Sequence, residues 1–202
     1  MNIKQFKYGE TNLGYLIWSE TSAAAIDGGA ADEILAFIRT QGIELKYVLN
    51  THMHYDHTPG NDALLENSRA VHILPEDMCE MKILLIGTEQ IEAFPTPGHT
   101  EDSIVFYLHE EESKTKQSGC LVTGDTLFNG TVGNCYTQNY ELYFDSLKKV
   151  LRFPKTTKIY AGHDIFEYTT GVMDKIDPEN SYLPIYKKLY SKETLVTTLE
   201  QE

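Results

Sequence analysis

Thr51 to Gly60 reads THMHYDHTPG, and it begins two residues past Leu45 to Leu49 (LKYVL), a short apolar segment predicted as a strand. Three histidines and one aspartate (His52, His54, Asp56, His57) crowd into one HxHxDH run, in a chain with 7 histidines in total. A solvated polar loop gives no reason for that clustering. Imidazole nitrogen and carboxylate oxygen are the donors that divalent ions of borderline softness take. His52 and His54 stand two apart, so in an extended segment both side chains leave on the same face. Asp56 and His57 follow at a turn and can point the other way, toward a second ion.

The same construction recurs along the chain. Gln90 to Phe94 is predicted as a strand and leads to Thr96-Pro97-Gly98-His99. Cys120 to Thr123 leads to Gly124-Asp125, and Lys158 to Ala161 to Gly162-His163-Asp164. Sites in sheets form where strand ends deliver residues into adjoining loops, so His52, His99, Asp125 and His163 can converge. His72 and His109 lack that context and read as an ordinary strand residue and a surface residue.

The remaining pattern is mixed. Gly14 to Trp18, Ala23 to Ile26, Ala70 to Leu74 and Ser103 to Leu108 read as strands. Ala30 to Gln41 has helical spacing, with Gly42 as its stop. Asn61 to Glu66 and Tyr140 to Leu151 also read as helices. Glu110 to Gly119 is polar and Gly-terminated, a predicted hairpin tip. From Asp177 the chain changes character: Pro178 and Pro184 break it, and Tyr186 to Tyr190 is left as a short helix. The expected organisation is one domain over residues 1–176 and an appendage over 177–202. No repeat or low-complexity tract interrupts it.

Composition narrows the function classes. The 202 residues carry 30 Asp plus Glu against 17 Lys plus Arg, a formal charge of −13. That charge repels phosphate backbones and anionic lipid surfaces, so neither nucleic acid nor membrane is an expected partner. No apolar run reaches the roughly 18 residues of a membrane span. The first residues, MNIKQFKYGETNLGY, lack the apolar core of an export signal, and a cytoplasmic protein is expected. The 3 cysteines, Cys79, Cys120 and Cys135, are widely spaced and read as reduced thiols. Cys135 has no Lys, Arg or His within ten residues on either side, so nothing local activates it.

HxHxDH, then TPGHT (Thr96 to Thr100), TGDTLF (Thr123 to Phe128) and AGHD (Ala161 to Asp164), in that order, resembles the signature of the metallo-β-lactamase fold superfamily. Within it the chain looks most like the hydroxyacylglutathione hydrolase (glyoxalase II-like) group. Asp177-Pro178-Glu179-Asn180 sits where that group carries a comparable stretch. The resemblance implies a four-layer αββα sandwich, in the α+β or α/β class, with two divalent ions at one edge. It assigns His52, His54 and His99 to one ion and Asp56, His57 and His163 to the other, with Asp125 bridging. Zinc is the first expectation, while iron and manganese suit the same donors. A hydroxide between the ions would attack the acyl carbon of a small thioester or ester. Asp56 would also orient that water, and Asp27 would hydrogen-bond a ligand from behind.

The chain also departs from that group. Where relatives hold glutathione with a cation in a segment like GKFY, this chain has Gly133-Asn134-Cys135-Tyr136. Tyr136 is kept and Asn134 replaces the cation, so both are candidate substrate contacts with weakened glutathione selectivity. Thr197 to Gln201 (TTLEQ) resembles the start of the helical domain that carries further basic residues in relatives. Asp125 stands where the commonest true lactamases use cysteine, which disfavours antibiotic hydrolysis. The alternatives are a mononuclear iron persulfide dioxygenase using His52, His99 and Asp125, a lactonase-type hydrolase, or a non-catalytic metal-binding module. Oligomeric state is open at this level.

Overall fold

A computed structural model describes residues 1–109, 119–191 and 193–202. In chain order they form β1 (Asn2–Tyr8), β2 (Asn12–Ser19), β3 (Ser22–Ile26), α1 (Ala31–Gln41), β4 (Glu44–Leu49), α2 (Asn61–Glu66) and β5 (Val71–Ile73). Next come α3 (Pro75–Met81), β6 (Ile83–Ile86), β7 (Glu89–Pro95), β8 (Ile104–His109), β9 (Gly119–Gly124), β10 (Leu127–Phe128) and β11 (Thr131–Val132). The last are α4 (Tyr140–Val150), β12 (Lys158–Ala161), α5 (Phe166–Ile176), α6 (Leu183–Tyr186), a 3₁₀ turn (Lys187–Leu189) and β13 (Thr197–Thr198).

These strands make two large sheets. One is 5-stranded in the order β1-β2-β3-β4-β5, and the other 6-stranded in the order β13-β12-β9-β8-β7-β6. Alternation along each strand sends side chains to opposite faces. Leu13, Tyr15 and Ile17 of β2 and Ile26 of β3 point inward, where they meet Ile91, Ile104, Phe106 and Val122 of the second sheet. Leu16, Ala23 and Ala25 point the other way and bury against Ile34, Leu35 and Ile38 of α1 and Leu64 of α2. On the far side, Val105, Leu121 and Ile159 pack against Val150 of α4. Helix, sheet, sheet and helix therefore stack as the expected αββα sandwich. No helix among the described residues is long and apolar enough to cross a membrane.

Several elements differ from the sequence reading. β1 was not predicted: its outward faces are polar, and only Phe6 is buried. α3 was missed because it is 7 residues long. α5 was missed because Thr169, Thr170 and Gly171 are weak helix formers. The short helix of the tail lies at Leu183–Tyr186 rather than 186–190, and Pro184, read as a breaker, sits in its first turn. Proline is tolerated there because that amide has no helical partner to lose. β10, β11 and β13 have 2 residues each, too few to show a period. The predicted hairpin tip, apart from Gly119, lies outside the described residues.

Candidate metal centre

The parallel strands β3 and β4 end side by side, and the first polar residues beyond them are Asp27 and the Asn50–His57 loop. Asp27 sits at φ +50, an uncommon conformation for a residue with a Cβ. Its amide still reaches Leu49 O at 3.0 Å, so the sheet ladder holds the turn in place. β7 delivers His99, β9 delivers Asp125, and β12, parallel to β9, delivers His163 beside it. Gly162 makes this last approach possible, since a Cβ there would lie 2.3 Å from Asp125 Oδ1.

All the candidate ligands meet in one place. His54 Nδ1 is 3.0 Å from both His52 Nε2 and His99 Nε2. His57 Nε2 is 3.3 Å from His163 Nε2, and Asp56 Oδ2 is 3.4 Å from that same His163 atom. Asp125 spans the two groups: its Oδ1 is 3.3 Å from His57 Nε2, and its Oδ2 is 3.4 Å from His99 Nε2 and from His163 Nε2. The donor atoms of His52, His54 and His99 lie within 4.8 Å of one another, as do those of Asp56, His57 and His163, and those of His52, His57 and Asp125.

The outward ring nitrogens explain which atoms face inward. His57 Nδ1 is 3.0 Å from Asp27 Oδ2, and His99 Nδ1 is 2.8 Å from the Asn134 carbonyl oxygen. Both acceptors require a proton on Nδ1, which makes Nε2 the coordinating nitrogen of the neutral ring. Thr51 donates its hydroxyl to Asp27 Oδ2 at 2.7 Å, so its oxygen can accept from His52 Nδ1 at 3.1 Å. His163 Nδ1 lies 3.0 Å from Thr11 Oγ1. With one nitrogen of each ring engaged outside, His52, His57, His99 and His163 turn the other nitrogen inward, the arrangement a coordinated cation requires.

Comparisons with known proteins bear on the family and the fold. A model of the metallo-beta-lactamase superfamily matches residues 10–82. A curated relative from Pelagibacter ubique, named hydroxyacylglutathione hydrolase, is 31% identical over 100% of this chain and 90% of its own length. The chain belongs to the metallo-β-lactamase superfamily. Two solved structures share its fold. The BLEG-1 B3 metallo-beta-lactamase superposes with TM-score 0.67 at 22% identity, over 81% of this chain and 92% of that one. ETHE1 from Myxococcus xanthus gives TM-score 0.67 at 24% identity, over 100% of this chain and 81% of that one. This member of the superfamily is a glyoxalase II-like, metal-dependent hydrolase.

Electrostatics of the site fit divalent cations. Burial pushes the His52 imidazole down to about 4, with His57 adding to the effect, so it is a neutral donor at physiological pH. Burial also lowers His99, against the opposing pull of Asp125. At His57 burial acts downward, but Asp27 and Asp125 outweigh it and push the ring up to about 10. That point therefore favours positive charge, which a dication supplies as well as a proton does. Burial works against ionisation of Asp125 and Asp56, yet both carboxyls are held below their usual range. His163 and His57 do this for Asp125, and Asn12 and His57 for Asp56. Asp125 Oδ1 is buried and accepts no hydrogen bond, with His57 Nε2 3.3 Å away. An orphaned carboxylate oxygen facing a ring nitrogen fits a bridging position between two ions.

An open cleft of about 370 Å³ lies over these groups, lined in part by Tyr55, Asp56, Phe128, Asn134, Tyr136 and Ile165. No Lys or Arg is among its described lining residues. Tyr136 stands edge-on to His54 and His99, with ring centroids at 5.5 and 5.2 Å. The amide of Asn134 is 3.4 Å from the Tyr136 hydroxyl, while its carbonyl orients His99. Cys135, between them, is half-buried beside Thr137. His72 and His109 stay outside. His72, on β5, contacts Asn50 and Asn61, and His109, at the end of β8, pairs with Glu92. Sequence reasoning missed Thr11, Asn12 and Thr51 as supports of the ligands. Asn12 alone left a signal, as an amide opening the apolar strand β2.

Proposed function

We propose that this chain is a dinuclear metal-dependent thioesterase acting on small acyl thioesters. The observation that carries this reading is the pair of ligand groups, His52/His54/His99 and Asp56/His57/His163, joined by Asp125 beneath one open cleft. Two bound divalent ions would lower the pKa of water and polarise an acyl carbonyl. The residues of the chain would divide the other tasks. Asn12 holds Asp56 Oδ2 at 3.1 Å, and we assign Asp56 the orientation of the attacking water. Tyr136 and Asn134 form the wall against which the substrate lies. We assign residues 1–176 to catalysis and 177–202 to an appendage that adds β13 to the edge of the 6-stranded sheet.

The relatives named hydroxyacylglutathione hydrolase make a glutathione thioester the first substrate to try. The lack of a described cation in the cleft lining supports a smaller or less anionic thioester instead. Zinc is our first choice of metal, and iron or manganese suits the same donors. A cytoplasmic setting belongs to the same reading and is supported by the free thiols Cys79 and Cys135. The mononuclear iron persulfide dioxygenase reading is weaker, because Asp56, His57 and His163 would have no task in it.

Metal count per chain, a thioester hydrolysis panel and oxygen uptake test this together. Two ions, thioester turnover and no oxygen uptake are expected. One iron with oxygen uptake would overturn the reading.

A further inference from the structure

Among the described residues, the hairpin between β1 and β2 hydrogen-bonds to Asp56 and His163 in one half of the centre and to no ligand of the other. We propose that Thr11 and Asn12 are positioning residues that set the affinity of the Asp56/His57/His163 half without acting on the His52/His54/His99 half. This rests on the dinuclear reading above.

The contacts are specific. Asn12 is buried, and its side-chain amide donates to both the backbone carbonyl of Asp56, at 3.2 Å, and its carboxylate Oδ2, at 3.1 Å. One amide thereby fixes the rotamer of Asp56 relative to its own backbone. Tyr8 donates its hydroxyl to the same carbonyl at 3.0 Å. Thr11 Oγ1 stands 3.0 Å from His163 Nδ1 and sets the plane of that ring. The hairpin backbone is tied to the His163 strand end as well. Leu13 N donates to Gly162 O at 2.8 Å, and Asp164 N donates to Thr11 O at 2.7 Å. Outside it, Lys7 pairs with Asp164 at 2.7 Å.

The other half is supported from elsewhere. His52 leans on Thr51 and His99 on the Asn134 carbonyl. Among the described residues no hydrogen bond runs from residues 8–12 to His52, His54 or His99. His57, the third member of the hairpin-facing half, is held by Asp27. Loosening the hairpin side chains therefore frees two ligands of one group and none of the other.

Zinc chloride titrated into metal-stripped protein, in competition with a chromophoric chelator, resolves the two equivalents. Metal content after desalting and a thermal melt of the metal-stripped form accompany it. Thr11→Val keeps the side-chain shape and removes the acceptor, and Thr11 is only half-buried, so the fold is not at risk. Asn12→Ala tests the second contact, and Thr11→Ser is the rescue. The expected result is a second equivalent weakened about 10- to 100-fold in Thr11→Val and Asn12→Ala, the range for losing a partner behind a ligand. The first equivalent and the melt of Thr11→Val stay as in the wild type, and Thr11→Ser restores the second. A second equivalent unchanged in Thr11→Val, or both equivalents weakened alike, overturns the inference alone. A wild-type chain that binds fewer than two equivalents overturns the dinuclear reading and the inference with it.

Discussion

Asp27 Oδ2 and His57 Nδ1 lie 3.0 Å apart, and both side chains are fully buried. The two oxygens of Asp27 serve more donors than this one. Thr51 gives its amide to Oδ1 at 2.9 Å and its hydroxyl to Oδ2 at 2.7 Å. One carboxylate thus orients His57 directly and His52 through Thr51. A carboxamide cannot replace it, because its NH₂ would face one of these donors. Asp27→Asn is expected to cost roughly 1–3 kcal/mol of stability from the unmet donors. It is also expected to weaken metal binding by about 10- to 100-fold. Thermal melting and chelator competition check both, and a variant with wild-type zinc affinity would show that Asp27 has no such role.

We assign Asp125 the bridging position, where its charge would serve both ions. Asp125→Asn is expected to lose one metal and most turnover while the fold survives. Folding draws on the apolar layers around Phe106 and Ile34, where each buried large side chain contributes roughly 1.5–3 kcal/mol. Metal analysis and circular dichroism on the purified variant test this. Two retained ions with a near-normal rate would remove the bridging assignment.

Much of this centre was legible in the sequence because its side chains do the work and their spacing follows simple rules. His52 and His54, two apart, bring their ring nitrogens within 3.0 Å, and Gly-Asp and Gly-His steps mark the ends of β9 and β12. The supports were not legible for physical reasons. Asn134 orients His99 through a carbonyl oxygen, which every residue type possesses. Thr11 lies in the turn after β1, a strand hidden by polar residues on its exposed face, and Asn12 opens β2 opposite Tyr8. The φ of Asp27 is set by its neighbours rather than by its own preference. The same holds for α5, which packs Phe166 against the ring of Tyr190 despite weak helix formers in its middle.

Gly162 offers a steric test. Its added Cβ would meet Asp125 Oδ1 at 2.3 Å and His57 Cε1 at 2.9 Å. Gly162→Ala is therefore expected to displace the carboxylate and weaken metal binding, with an overpacking cost of roughly 1–3 kcal/mol. Gly171, inside α5, is the matched control, since a Cβ there meets nothing within 4 Å. Gly171→Ala is expected to leave metal content unchanged and to add about 0.5–1 kcal/mol through helix propensity. Parallel melts and metal counts separate the two. Equal behaviour of both variants would contradict the close approach at Gly162.

Substrate charge gives the last test. The cleft lining described here contains Asn134 and Tyr136 but no Lys or Arg, and the chain as a whole carries −13. A glutathione thioester has two carboxylates on its peptide portion, and this surface offers them no charge-assisted hydrogen bond. Each such bond is worth roughly 1.5–3 kcal/mol, so two missing contacts correspond to about 10²–10⁴-fold in kcat/KM. A smaller or less anionic thioester is expected to be turned over more efficiently, and the difference should shrink as salt screens the overall repulsion. Asn134→Lys places one cation in the lining. It is expected to raise kcat/KM for the glutathione thioester by about 10- to 10²-fold and to leave a neutral thioester nearly unaffected. The His99 contact should persist, because the carbonyl at position 134 is unaltered by the exchange. Kinetics of wild type and variant on S-lactoylglutathione and a neutral thioester decide the matter. A wild-type kcat/KM near 10⁶ M⁻¹s⁻¹ for S-lactoylglutathione, on the order of that of an efficient enzyme, would show that recognition does not depend on a cation at position 134.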